Sequence, residues 1–254
     1  MTLDFAPAPG AAPLPRMVLA QAGAEVRAIL RNGEQLLLTL IIPVLLLVGF
    51  SLAPLVDVGA GRRVDFLAPG VLALAVMSTA FTGQAIATGF ERRYGVLKRL
   101  GATPLSRAGL MLAKTLAVLA VEALQVVVIV GVALALGWQP RGSFAVALLL
   151  ILLGTAAFSG LGLFMAGVLR AEATLAAANL VYLVLLGCGG VIFPLAVFPD
   201  AVEPFLRALP IGALTTGLRT ALSAGEGLPW GPVVVLLLWA IGTLTLASRT
   251  FRWE

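Results

Sequence analysis

The chain has no histidine, one cysteine, two tyrosines and, among its seventeen basic residues, only two lysines. Without histidine there is no imidazole to act as a general base or to ligate a metal. The lone Cys188 cannot close a disulfide within the chain; it sits in an apolar run and reads as a small packing residue. Charge is the most telling scarcity. Only 11% of the residues are charged, against about 25% in a soluble domain. With 60% hydrophobic residues and a mean hydropathy of +1.06, there is more apolar side chain than one soluble core can bury. The class is therefore all-α integral membrane. A pI near 10.3 does not point to nucleic acid, because the basic residues lie at the ends of apolar runs and not on one solvated face. A phosphate-binding G-x-x-x-x-G-K-[ST] loop is missing as well. Lys98 follows Leu97 and Lys114 follows Ala113, so neither lysine fits it.

What is present is a series of apolar runs. Six are long enough to span a bilayer, which takes about 20 residues: roughly Leu36–Val56, Phe66–Thr88, Gly109–Leu136, Phe144–Leu169, Thr174–Leu195 and Pro232–Ala247. Pro43 is expected to bend the first. The third exceeds the need and must tilt or project. The basic residues orient the chain. With the N-terminus inside, the cytoplasmic segments hold Arg16, Arg27, Arg31, Arg92, Arg93, Lys98, Arg99, Arg107, Lys114, Arg170, Arg249 and Arg252. The outer ones hold only Arg62, Arg63, Arg141, Arg207 and Arg219. Both termini are thus expected in the cytoplasm. Residues 1–15 lack the apolar core of a signal peptide and read as a disordered cytoplasmic tail ahead of a single transmembrane domain, 16–254.

Charge concentrates between the second and third runs, in GFERRYGVLKRLGATPLSR, from Gly89 to Arg107. Topology explains part of it. Beyond that, Tyr94, Leu97 and Leu100 recur at helical spacing, while Arg92, Arg93, Lys98 and Arg99 take the other faces. Gly101 and Pro104 end the pattern. Glu91 at its start complements the helix dipole. The expectation is a short amphipathic helix bounded by Gly89 and the GATP turn. It lies either on the membrane surface or in a groove of a cytoplasmic partner. A second amphipathic helix is expected over Met17–Arg31, with Val18, Ala22, Val26 and Ile29 on one stripe.

The segment E-R-R-x-G-V-L-x-x-L-x-x-T-P, from Glu91 to Pro104, resembles the motif after the second span of ABC-2 type transporter permeases. A distant second stretch agrees with it. Phe193-Pro194, Phe198-Pro199, Pro204-Phe205-Leu206, Leu209-Pro210 and Leu218-Arg219 are similar to that family's Pro-rich segment between spans five and six. The family often shows N-P-L-T-Y where this chain has Leu209-Pro210-Ile211-Gly212-Ala213-Leu214-Thr215. Daunorubicin-type drug and antibiotic exporter permeases are the branch it most resembles.

The resemblance implies a permease subunit of an ATP-driven exporter in the cytoplasmic membrane of a bacterium. Its cargo would be a drug, lipid or lipid-linked glycan. ATP and Mg would sit on a separate ATPase subunit, and the unit would be completed by a second permease, a copy or a paralogue. The resemblance also implies that Glu91, Arg92, Arg93, Tyr94, Gly95, Leu97, Leu100, Thr103 and Pro104 form a coupling helix docking into the ATPase. The Met17–Arg31 helix would be an elbow along the inner leaflet. Phe193, Pro194, Pro199, Phe205 and Pro210 would belong to re-entrant outer helices, with short helical stretches at Ala201–Leu209 and Leu214–Leu222.

Polar residues at bilayer depth are costly and turn inward. Glu122 and Gln125 in the third run, Asn179 and Tyr182 in the fifth, and Ser78, Thr82 and Gln84 in the second each either fix packing or line a path for cargo. A secondary transporter needs ion sites at the midplane and often a repeat; there is no repeat and only one strongly buried acid. A membrane enzyme lacks paired carboxylates. A non-transporting assembly protein is a further alternative.

Overall fold

The computed structural model describes residues 10–53, 61–223 and 227–250. Among them there is helix and no strand. The first helix, α1, is Leu14–Arg31, so the tail expected to residue 15 ends just inside it; residues 1–9 lie outside the described residues. Next, α2 covers residues 33–52 and contains a π-helical turn at Leu37–Ile41. The long α3, Arg63–Arg93, contains a second π turn at Met77–Gly83. After it come α4 (Val96–Gly101), α5 (Arg107–Ala135), α6 (Phe144–Val168) and α7 (Ala171–Cys188). The chain closes with α8 (Glu203–Ala208), α9 (Pro210–Leu222) and α10 (Trp230–Thr250).

Among the described residues five helices, α3, α5, α6, α7 and α10, are long and apolar enough to cross a membrane. The first expected run falls in α2, where its apolar part from Leu36 to Leu52 extends about 25 Å at 1.5 Å per residue, against a hydrocarbon core of about 30 Å. The end of that run, residues 54–56, lies outside the described residues. The 29-residue α5 reaches about 43 Å by the same rise, in line with the excess length of the third run. The fifth run ends earlier than its sequence pattern. α7 stops at Cys188, and Gly190 takes a positive φ of 70°, which reverses the chain.

The bundle is built around α3. Of its most apolar stretch 89% is buried, against 22% for both α7 and α10. It packs on α2, α5, α6, α7 and α9. Lipid gives apolar helices no hydrophobic reason to associate, so close packing and polar contacts must hold them. Small residues on α6 provide the first. A Cβ at Gly162 would lie 2.8 Å from the Phe81 carbonyl oxygen of α3, and one at Gly160 would lie 2.7 Å from the Leu244 nitrogen of α10. Gln125 provides the second. Its amide meets the Thr79 hydroxyl, Nε2 donating at 2.8 Å, and also donates to the Thr39 carbonyl at 2.6 Å. Thr39 and Thr79 lie in the two π turns, where the helical hydrogen-bond ladder is out of register. One side chain therefore joins α2, α3 and α5.

At the end of the bundle away from α4, α9 is buried along most of its length among α3, α6 and α10. An ordinary loop would not be. Arg219 holds it: its guanidinium donates to the carbonyls of Phe66 (3.2 Å), Gly190 (2.5 Å) and Val191 (3.2 Å) and lies 3.6 Å from the Phe66 ring centroid. Pro210 is buried at the start of α9, whereas Phe193, Pro199 and Phe205 are exposed.

Replacing Gly160 by valine should separate α6 from α10 and lower stability by about 1–3 kcal/mol or more, the usual cost of overpacking. The check is thermal unfolding of the purified chain in detergent, with Gly242→Ala as control; a Cβ at Gly242 meets nothing within 4 Å.

Candidate functional site: the α3–α5 end of the bundle

The Glu91–Pro104 segment is not the single amphipathic helix that its spacing predicts. Gly89 does not bound it. It lies inside α3, buried beside Thr174 of α7. The α3 helix continues to Arg93, and the break falls at Gly95, whose φ of +70° is left-handed. Glycine adopts that conformation without the penalty other residues meet. The break rotates α4 relative to the end of α3, so Tyr94 and Leu97 leave their common face. Tyr94 is 64% exposed, stacked on Phe90 at 6.0 Å between centroids. Leu97 is 1% exposed. It turns into the protein, in one apolar cluster with Val18 and Ala22 of α1, Leu105, Leu110, Ala113, Leu163 and Ala247. Leu100 is partly buried against the same cluster. Leu97 thus faces its own chain. Tyr94, Val96, Lys98, Arg99, Thr103 and Pro104 form the exposed side.

The three charges of the motif are also used internally. Glu91 pairs with Lys114 of α5 at 2.6 Å, and Lys114 pairs in turn with Glu25 of α1 at 3.1 Å. The lysine is only 4% exposed. A four-carbon stem would let it snorkel to water, but two carboxylates hold it inside. Arg92 donates to the carbonyl of Gly167 at 2.8 Å and to that of Leu169, at the C-terminus of α6. A cation there satisfies open carbonyls and complements the helix dipole. Arg93 pairs with Glu172 of α7, and both are well exposed, so that pair contributes little. The loop closes with Ser106 capping α5, its hydroxyl accepting from the Gly109 amide at 3.1 Å.

The α1 helix has the stripe expected of it: Val18 and Ala22 are buried, Val26 and Ile29 partly buried. Its main packing partner is α5.

The bilayer-depth polar residues separate into groups. Gln125 fixes packing, as above. Glu122 accepts from the Thr155 hydroxyl of α6 at 2.6 Å, an interhelical bond. Tyr182 is half-buried, and Asn179 is exposed on the outward face of α7. The Thr82 hydroxyl, in the π turn of α3, is buried without a hydrogen-bond partner among the described residues. The same holds for the Gln84 amide and the Thr88 hydroxyl, which line a cavity of about 30 Å³ beside Glu25 and Lys114.

Sequence reasoning overlooked Glu25, Thr155 and the clamp made by Arg219. Glu25 falls four residues after Gln21, with which it is hydrogen-bonded at 2.9 Å, and this hides it as an ordinary surface pair. A buried basic residue seven positions into α5 was the available signal that an acid had to be near.

Leu97→Asp should unfold the chain itself and not merely a surface contact. Burying that carboxylate is expected to cost more than about 3 kcal/mol. The apparent melting temperature of the isolated chain should fall sharply; an unchanged value would contradict the burial of Leu97.

The ABC-2 type transporter family model matches residues 18–222, a range that includes most of α1, the α3–α5 end, Glu122, the π turns and α9. A curated protein of Dictyostelium discoideum, ABC transporter G family member 20, is 28% identical over 193 residues, covering 73% of this chain and 26% of that protein. The chain thus spans about a quarter of the length of that relative. With helices of membrane-spanning length and no strand among the described residues, the chain belongs to the ABC-2 type transporter family.

Proposed function

We propose that this permease works in an ATP-driven exporter, with hydrolysis on a separate ATPase subunit that carries ATP and Mg, and with a second permease completing the unit. The cargo is a hydrophobic or amphipathic molecule such as a drug, lipid or lipid-linked glycan. One observation supports the coupling role above all. The short α4 is anchored through Leu97 to α1 and α5, and the end of α3 that leads into it is tied to the same two helices by the Glu91–Lys114–Glu25 chain. A push on its exposed side would therefore be delivered to the inner ends of several helices at once. In this reading Tyr94, Val96, Thr103 and Pro104 meet the ATPase, while Glu91, Arg92, Arg93, Gly95 and Leu97 transmit the load. The absence of repeats and of paired carboxylates within the spans gives no support to a secondary transporter or a membrane enzyme.

The division of labour is testable. Val96→Asp or Tyr94→Glu should weaken copurification of the ATPase and reduce ATP-dependent export at least about tenfold, the scale of losing one interface anchor. The melting temperature of the permease alone should stay unchanged. Normal ATPase binding and export in both variants would refute the docking assignment.

The same reading places both termini and α4 in the cytoplasm of a bacterial cell, which the basic-residue asymmetry supports. In a Cys188→Ala background, cysteines replacing Arg16 or Arg252 should resist an impermeant thiol reagent in intact cells. A cysteine replacing Gly225 or Glu226 should react; these two positions and Arg252 lie outside the described residues. Labelling of either terminus from outside would reverse the orientation.

A further inference from the structure

Glu122 has a second aspect that packing does not account for. Between α5 and α6 lies a cavity of about 360 Å³, and Glu122 forms part of its wall. That volume is at the small end of ligand sites, which run from about 300 to 1,000 Å³. The rest of the wall is apolar, with Leu119, Val126, Trp138, Ile151 and Leu152 among its residues. Glu122 is 2% exposed and is the only charged residue among the described residues that line the cavity. Its Oε2 accepts the Thr155 hydroxyl. Its Oε1 is buried with no hydrogen-bond partner among the described residues. Thr155 does not repair this, because its one hydroxyl proton is already contested. The same oxygen lies 2.8 Å from the Ile151 carbonyl.

The geometry points to a lateral binding site for a lipophilic amine, whose ammonium meets the free Glu122 oxygen and whose apolar body fills the cavity between α5 and α6. The carboxyl group selects the charge. An anion would be repelled, and a purely apolar guest would leave Oε1 without a partner, which is costly in a dry site. An ammonium supplies both the opposite charge and a donor, and a charge-assisted bond is stronger than a neutral one. The outer wall gives the route. Phe144, Leu148 and Leu152 line the cavity and are also exposed on the outside of the bundle. An amphiphile dissolved in the bilayer therefore reaches the cavity from the side, without passing α3. The site does not depend on the exporter reading, since binding needs neither ATP nor a partner.

The test uses the full chain in phosphatidylcholine nanodiscs without nucleotide. The probes are a diazirine-bearing dodecylamine and the matching dodecanol, with crosslinks mapped by mass spectrometry. The amine should label residues within 119–152 saturably, and the alcohol about tenfold less or weaker still, the scale of one hydrogen bond to a charged group. Glu122→Gln should bring the amine down to the level of the alcohol. Leu148→Trp, which fills the opening from an exposed position, should reduce amine labelling with Glu122 intact. Equal labelling by both probes, no saturable labelling in this region, or amine selectivity that survives Glu122→Gln would each overturn the site. If Glu122→Gln fails to assemble, Leu148→Trp decides alone: undiminished labelling there overturns it.

Discussion

The α3–α5 end of this molecule depends on one ammonium group. Lys114 sits near the start of α5, almost fully buried, between Glu91 of α3 and Glu25 of α1. A lysine in that position must be paired, since an isolated charge away from water costs several kcal/mol. Its two acids come from helices far apart in the sequence, so satisfying it brings α1 and α3 to α5. Leu97 then closes the apolar side of the same corner. At this boundary with water the hydrophobic effect still operates, and full burial of a leucine contributes about 1.5–3 kcal/mol. Charge pairing and apolar burial thus act on the same short stretch of chain. Arg92, between the same helices, likewise has an internal partner, in the open carbonyls at the end of α6.

Deeper in the bundle different forces take over. Packing around α3 rests on the small residues of α6 and on two π turns joined by the Gln125 amide. A π turn weakens the local ladder but frees a carbonyl, and Thr39 uses its own to accept from Gln125. The far end is fixed in a related way. Arg219 satisfies carbonyls at the chain reversal after α7 and stacks on Phe66 of α3. Each end of α3 is therefore tied by a cation to segments distant in sequence, while its middle is tied by an amide.

Much of this was legible in the residues. Long apolar runs locate the spans because a helix in lipid has no alternative to satisfying its own backbone, and α3, α5, α6 and α10 match them within a few residues. The stripe of Val18 and Ala22 located the buried face of α1. What could not be read was direction. Tyr94, Leu97 and Leu100 have the spacing of one face, but the left-handed Gly95 turns Leu97 inward, and periodicity carries no information about such a break. Partners were equally hidden. Glu122 signals that something must satisfy it, but nothing in the sequence singles out Thr155 from the other hydroxyls of the spans. The shortness of α7 has the same origin, since an apolar pattern runs on past Gly189 and Gly190 where the backbone does not.

The central claim is that α4, α1 and the start of α5 form one cooperative unit held by Lys114. Hydrogen–deuterium exchange on the Lys114→Met chain measures this directly. Methionine keeps the length of the side chain and removes its charge. The account predicts that amide protection falls together in residues 16–26 and 96–101, while the middle of α3 stays protected. If exchange rises in the first segment and the second keeps wild-type protection, the two are not one unit and the account is contradicted.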